Sequence, residues 1–337
     1  MTAAARRGTS GARKRSGPEN QAGSRPPSTR PASTRPATEA SAAATAPSAA
    51  TVIVPGAASL AVRQPLSGSR RQARVIAANP AAFYLELPPP AAEPRIVVIA
   101  AAGAPRLPNA VAVMGTEELD RHIPGAMTGE AWIGRGTAQA GGLSVRVLRW
   151  WDPSPVLGPL SRVRLEQGAA ALQRACAAAG LAPSLVGHDG PAELAACCAD
   201  GDLAGAVEAS DLIVGLGPGL APGGDNMISG LLLALRLLGG AIPGGTRAVW
   251  LADWLGAAVT ADAAIRTTAL GGTLLHCAAH GQAAAEVSAV LHGLAGQEPL
   301  APAARTLLAT GQTAGADLAW GLVAGCRAAL ALTHAGR

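Results

Sequence analysis

Three short stretches of this chain hold residue types that could do chemistry. In GLGPGLAPGGDN, Gly215 to Asn226, five glycines and two prolines lead into an Asp-Asn pair. In Arg266-Thr267-Thr268 a guanidinium stands beside two hydroxyls. In GQTAGAD, Gly311 to Asp317, Thr313 and Asp317 sit where a helix would start. Glycine allows positive φ and lets a ligand reach the backbone. Exposed main-chain N–H groups at a helix start, aided by the helix dipole, bind anions. Phosphate or carboxylate is therefore the expected ligand, with Gly215, Gly217, Gly219 and Gly224 admitting it. The plainer reading is a tight structural turn. Asp225 suits two roles, helix N-cap or acceptor for a substrate amide, and it is the candidate catalytic residue. Arg266, Thr267 and Thr268 would complete an anion pocket, or simply begin and cap a helix.

The absences narrow the chemistry. The single lysine is Lys14, so a GxxxxGK[ST] phosphate loop, a Schiff-base lysine and a lysine general base are excluded. His276 and His280 are four apart and could share a helical face, but no third metal ligand is evident, so no metal and no cofactor are expected. The five cysteines, Cys176, Cys197, Cys198, Cys277 and Cys326, are odd in number and lack CxxC spacing, which reads as buried reduced thiols in a cytoplasmic protein. Net charge is +5. Residues 1–55 hold eight Lys/Arg against two Glu, so the remainder is nearly neutral. With no aromatics in that segment to stack on bases, a solvated basic tail is favoured over nucleic-acid binding. No apolar run reaches the roughly 20 residues of a membrane helix, and no membrane association is expected.

What must position these residues is a change of period along the chain. Residues 1–55 are low-complexity Ala, Ser, Thr, Pro, Gly and Arg, and read as a disordered basic tail. Residues 56–155 carry short Val/Ile-rich runs at 74–77, 83–87, 96–100, 111–114 and 143–150, separated by Gly and Pro, which predict a small β-rich domain. From 156 to 337 the period is helical. Leu165, Ala169, Leu172 and Cys176 mark one face, and Pro191 opens a further helix. Helices follow near 227–238, 247–264, 267–280, 283–292, 302–310 and 314–332. Gly239, Gly281, Gly293 and Gly311 fall at expected C-terminal caps. Asp211 to Gly215, with the apolar run Leu212-Ile213-Val214 inside it, reads as one short strand, which makes the glycine segment a strand-to-helix loop. The fold class expected is α+β: a small β-rich N-terminal domain, then a larger mainly helical domain.

The stretch GLGPGLAPGGDNMISGLLLAL resembles the AllH family signature G-x-G-x-G-L-T-P-S-G-D-D-F-x-x-G. Gly215, Gly217, Gly219, Leu220, Pro222, Gly224, Asp225 and Gly230 match it. Ala221 stands for Thr, Gly223 for Ser, Asn226 for the second Asp and Met227 for Phe. The likeness continues through Arg266 to Gly281 and Ala309 to Leu322, and covers roughly residues 60–330. The resemblance implies a subunit of an oxamate carbamoyltransferase-like complex, taking part in allantoin and purine breakdown with other carbamoyltransferase-type subunits. It implies small anionic substrates, with Asn226 altering whatever the second Asp does. The lost hydroxyls and carboxylate leave a second expectation open: a non-catalytic assembly or regulatory subunit.

Overall fold

The computed structural model describes residues 51–114 and 118–333. The tail expected over residues 1–55 lies, for residues 1–50, outside the described residues. The first strand already opens at Val52.

The N-terminal strands are β1 (Val52–Ser59), β2 (Arg71–Asn79), β3 (Ala82–Glu86), β4 (Ile96–Ala100), β5 (Ala110–Val113), β6 (Ala131–Gly134), β7 (Thr137–Ala140) and β8 (Leu143–Trp151). Two helices lie among them, α1 (Arg63–Ser67) and α2 (Glu118–Thr128). The strands close into a barrel in the order β1-β5-β4-β3-β2-β6-β7-β8. The β1–β8 and β4–β5 pairs are parallel and the others antiparallel. Closure removes the exposed edges that an open sheet would carry.

Closure also corrects the expected fold class. The β region is not a small β-rich domain beside a helical one but a complete eight-stranded barrel over residues 52–151. Sequence reading missed β1, β6 and β7. Strand β1 begins inside Ala/Thr/Pro-rich sequence that resembles the tail. Strands β6 and β7 are four residues each, joined at Arg135-Gly136, too short for alternation to register.

Strand β4 explains how the barrel meets the helices. All five residues of Ile96-Val97-Val98-Ile99-Ala100 are buried. Side chains alternate across a strand. Val97 and Ile99 point into the barrel core with Phe83, Leu85, Val111 and Val145. Ile96, Val98 and Ala100 point outward onto Leu270 of the helical part. An unbroken apolar run is what a strand covered on both faces requires.

The helices are α3 (Arg162–Ala179), α4 (Asp189–Asp200), α5 (Leu203–Asp211), α6 (Gly223–Leu233), α7 (Gly239–Ala241), α8 (Thr246–Ala261), α9 (Ala263–Arg266), α10 (Ala269–Ala279), α11 (Ala285–Leu294), α12 (Leu300–Leu308) and α13 (Ala314–Leu332). A π-helical turn, Ala234–Leu238, joins α6 to α7. Gly180 ends α3 at φ 63°, and Gly281 and Gly311 take positive φ after α10 and α12. Gly239 and Gly293 do not cap. Gly239 opens α7, and Gly293 is inside α11 with Gly296 turning the chain instead.

Helices α6 and α13 cross at the centre with their backbones in contact. A side chain at Gly230 would collide with the Leu318 carbonyl, and one at Gly321 with the Met227 carbonyl. Small residues let helix axes approach closely, so an alanine- and glycine-rich chain with few aromatics can still pack a dense core. By length and composition α13 could cross a membrane, contrary to the sequence reading. It is the buried core helix of this bundle, with 78% of its apolar window inside. All the described residues fall in one compact unit. Barrel and bundle are tied together by Thr273, which donates to Glu93 at 2.5 Å. Ala285 also gives its amide to the Arg106 carbonyl at 3.0 Å.

Candidate functional site

The glycine segment joins a helix to a helix. Leu212, Ile213 and Val214 form no strand. Their amides return to Ala209 and, for the last two, to Ser210, continuing the end of α5 as a turn. Three apolar residues in a row mimic a strand, but among the described residues no strand pairs with them. The loop then runs through Gly215, Gly217 and Gly219, all at positive φ (73°, 114° and 95°), to Pro222, where α6 begins without a side-chain cap.

Asp225 sits on the first turn of α6 and is buried. Its Oδ1 accepts the Gly215 amide at 2.8 Å, and its Oδ2 accepts the hydroxyl of Thr267 in a short bond. The carboxylate thus ties the start of the loop to the segment before α10. Burial pushes its pKa above the ordinary carboxylate range, and the Thr267 and Gly215 bonds pull it partly back.

The neighbours expected to complete an anion pocket also build the loop. Thr268 caps α10 by accepting the Gly271 amide, and donates to the Leu220 carbonyl at 2.5 Å. The Asn226 amide donates to the Ala221 carbonyl at 3.2 Å. Arg266 turns its guanidinium away, onto the Asp211 side chain and, at 2.8 Å, the Asp211 carbonyl. Its own carbonyl stands where a side chain at Gly215 would be. These residues are brought together, but around the loop's own carbonyls and amides.

The main chain divides the loop in two. The amides of Leu216 and Gly224 turn inward, to Ile213 and Leu216 at 3.0 Å each, and Asn226 returns to Pro222. The amides of Gly217, Gly219, Leu220 and Ala221 find no acceptor among the described residues. Pro218, Gly219 and Leu220 are exposed. The stretch from Gly217 to Ala221, the outer arc of the loop, therefore carries four amides with no acceptor among the described residues.

On the opposite side of α6 stands a contact that the sequence reading missed. Ser184, between α3 and α4, donates its amide at 2.7 Å and its hydroxyl at 3.1 Å to Oδ1 of Asp317, on the first turn of α13. Oδ2 of Asp317 is buried and makes no hydrogen bond of ordinary geometry among the described residues, while the Thr313 side chain also stabilises the charged carboxylate. Burial raises the pKa of Asp317, against the Ser184 bonds. The Ser184 hydroxyl fills the space where a side chain at Gly223 would stand. Asp317 was singled out from its helix-start position. Ser184 lies in an irregular linker where no local pattern marks it.

His276 and His280 do share a face, with ring centroids 4.3 Å apart. Among the described residues no group of three or more His, Cys, Asp or Glu gathers to hold a metal. The five cysteines are free, and burial pushes Cys198 and Cys326 up to about 12.

The chain is a closed barrel set on a helix bundle with close glycine crossings, and its glycine loop leads into a helix start. Within it, residues 213–326 match the family model described as oxamate carbamoyltransferase subunit AllH. The match runs from just after α5 into α13. The AllH likeness read from the loop is supported there, over about a third of the chain rather than over residues 60–330. No curated protein and no solved structure matches the chain.

Proposed function

We propose that this chain is the AllH-type subunit of an oxamate carbamoyltransferase-like complex, and that it holds a small anion on the outer arc of the glycine loop. The observation that carries the reading is the row of unpartnered amides at Gly217, Gly219, Leu220 and Ala221. Fixed main-chain donors suit a phosphate or a carboxylate, and they stabilise charge that develops on oxygen during carbamoyl transfer. They need no reorganisation, because Asp225, Thr267, Thr268 and Asn226 already brace the loop from behind.

In this reading Asp225 is a positioning residue and not a general base. Both of its oxygens are occupied inside the protein, and neither reaches the outer arc. Arg266 acts at one remove, by holding the end of α5 through Asp211. The family match supports the assignment to a carbamoyltransferase complex. The other subunits of that complex are the expected partners. The test is phosphorolysis of oxalurate, or carbamoylation of oxamate, by the chain mixed with those subunits. Turnover that requires this chain and fails when the outer arc is altered supports the proposal. Absence of turnover with the full set, under conditions where a sister complex works, removes the substrate assignment.

The filled carboxylate of Asp225 also favours a second reading, a non-catalytic assembly subunit. In that case the complex assembles normally, and its turnover is indifferent to changes in the outer arc.

A further inference from the structure

One outer face of the barrel is basic, aromatic and unpaired. In β6, β7 and β8 the residues Ile133, Ala138 and Val145 belong to the barrel core. By alternation their neighbours Trp132, Thr137, Gln139 and Arg146 point outward. Trp132 lies opposite Gln139, and Thr137 opposite Arg146. Arg70, just before β2, sets its guanidinium 4.7 Å from the Trp132 ring centre and donates to Gln139 at 2.8 Å. Arg135 in the β6–β7 turn and Arg149 in β8 extend this face, and both are exposed. None of Arg135, Arg146 and Arg149 meets an acidic side chain among the described residues. Glu130, just before β6, accepts the Trp132 Nε1–H at 3.1 Å and pairs with no arginine among them. Ile53 of β1 and Leu148 of β8, each 62% exposed, add apolar area. Arginine and tryptophan beside exposed aliphatic side chains is the composition of a protein interface.

A surface of opposite charge lies in the same chain. Between Arg174 and Arg236 the sequence has seven carboxylates and no Lys or Arg. Five of the seven, Asp189, Glu193, Asp200, Asp202 and Glu208, are exposed on α4 and α5 or between them. Burial, and then the charges of Asp202, Glu193 and Asp200, raise the pKa of Cys197, so these three carboxylates gather around one point. Arg247 of α8 reaches Gly201 between the two helices and leaves the surface net negative. Val186 before α4 and Leu212 after α5 are exposed, so this surface too mixes charge with apolar area.

Within one molecule the two surfaces face apart. In the ring of eight strands β7 is four places from β4 in either direction, and β4 is the strand whose outer side packs on Leu270 of the helices. The basic face, centred on β7, therefore points away from the bundle. Helices α4 and α5 pack on each other, on α13 and on α8. We propose that the arginine-tryptophan face of the barrel docks the acidic α4–α5 surface of a second copy of this chain. Two different patches meeting give a head-to-tail contact, which repeats from copy to copy. Charge complementarity steers such an encounter and weakens as salt rises. The proposal does not depend on anion binding at the glycine loop.

Sedimentation velocity of the full chain, over a range of concentration and salt, is the test. Self-association is expected in about 50 mM salt, weakening at least about tenfold in about 500 mM salt. Arg146→Glu with Arg149→Glu reverses the basic face, and Glu193→Gln with Glu208→Gln neutralises part of the acidic one. Each double variant alone is expected to sediment as a monomer. Mixed, the first offers an intact acidic surface and the second an intact basic face, so one-to-one pairs form and nothing longer. All four positions are exposed, and Asp202, which caps α5, is left in place, so the fold is preserved. Association that survives either double variant, or a mixture that stays monomeric, overturns the proposal. So does a parent chain that stays monomeric in low salt, whether its arginine face then takes an oligonucleotide, another subunit or nothing.

Discussion

The Asp225 carboxylate accepts the Gly215 amide at 2.8 Å across ten residues of chain, and so closes the glycine loop on itself. This one bond, together with that from Thr267, makes the loop a rigid object rather than a flexible linker. Asp225→Ala leaves the Gly215 N–H and the Thr267 hydroxyl without their acceptor in a buried place. The expected loss of stability is about 2–4 kcal/mol. Asp225→Asn keeps one acceptor for Gly215, and its new amide can donate to Thr267, so the loss is about 1 kcal/mol. Urea unfolding of the two variants checks the order, and equal losses contradict the strut role.

The same burial sets a pH dependence. Asp225 and Asp317 both have folded-state pKa values raised above the ordinary value of 3.8. The folded state then holds more protons than the unfolded state just above that value. Stability is therefore fullest below pH 3.8 as far as these two groups are concerned, and declines as pH rises through their folded pKa values. Replacing both with asparagine is expected to flatten that part of the stability curve. Urea midpoints measured from pH 3.5 upward are the check.

Gly223 and Ser184 compete for one space. Gly223→Ser, which restores the residue of the AllH pattern, forces a side chain onto the Ser184 hydroxyl. Alone it is expected to cost about 1–3 kcal/mol, as overpacking does. Combined with Ser184→Gly, the clash is relieved, and the double-mutant cycle should show a favourable coupling of about 1 kcal/mol or more. Strict additivity would mean that the two positions do not share that space.

Arg266 offers a test of whether its guanidinium meets the ligand. It is paired with Asp211, whose side chain is 48% exposed. Arg266→Gln is expected to cost about 1 kcal/mol or less, since solvent screens such a pair. Phosphate affinity of the folded variant should stay within about threefold of the parent. A loss of a hundredfold would place the guanidinium on the anion instead.

Much of this architecture was legible because long periodic segments announce themselves. Helices α3, α8, α10, α11 and α13 fell close to the segments expected from spacing, and the run Ile96 to Ala100 was a plain strand. The closed barrel was not legible. Its closing strands β1, β6 and β7 are short or lie in tail-like sequence, and closure is a long-range property that no window contains. At the candidate site, the glycine segment and its partners Thr267, Thr268, Asn226 and Asp225 were all legible as a cluster. Their orientation was not. Side chains expected to face a ligand instead face the loop, because a bend rich in glycine has no side chains of its own to brace it. Ser184 was invisible, since its role exists only where α6, α13 and a linker meet.

The most direct measurement of the central claim is a titration of the ¹⁵N-labelled chain with phosphate, oxamate and carbamoyl phosphate in turn, read at individual backbone amides. The account predicts saturable shifts at Gly217, Gly219, Leu220 and Ala221, with Gly215 and Gly224 little moved because their protons are already committed to Asp225 and Leu216. Shifts absent from those four amides with every anion, while the loop stays folded, would contradict it.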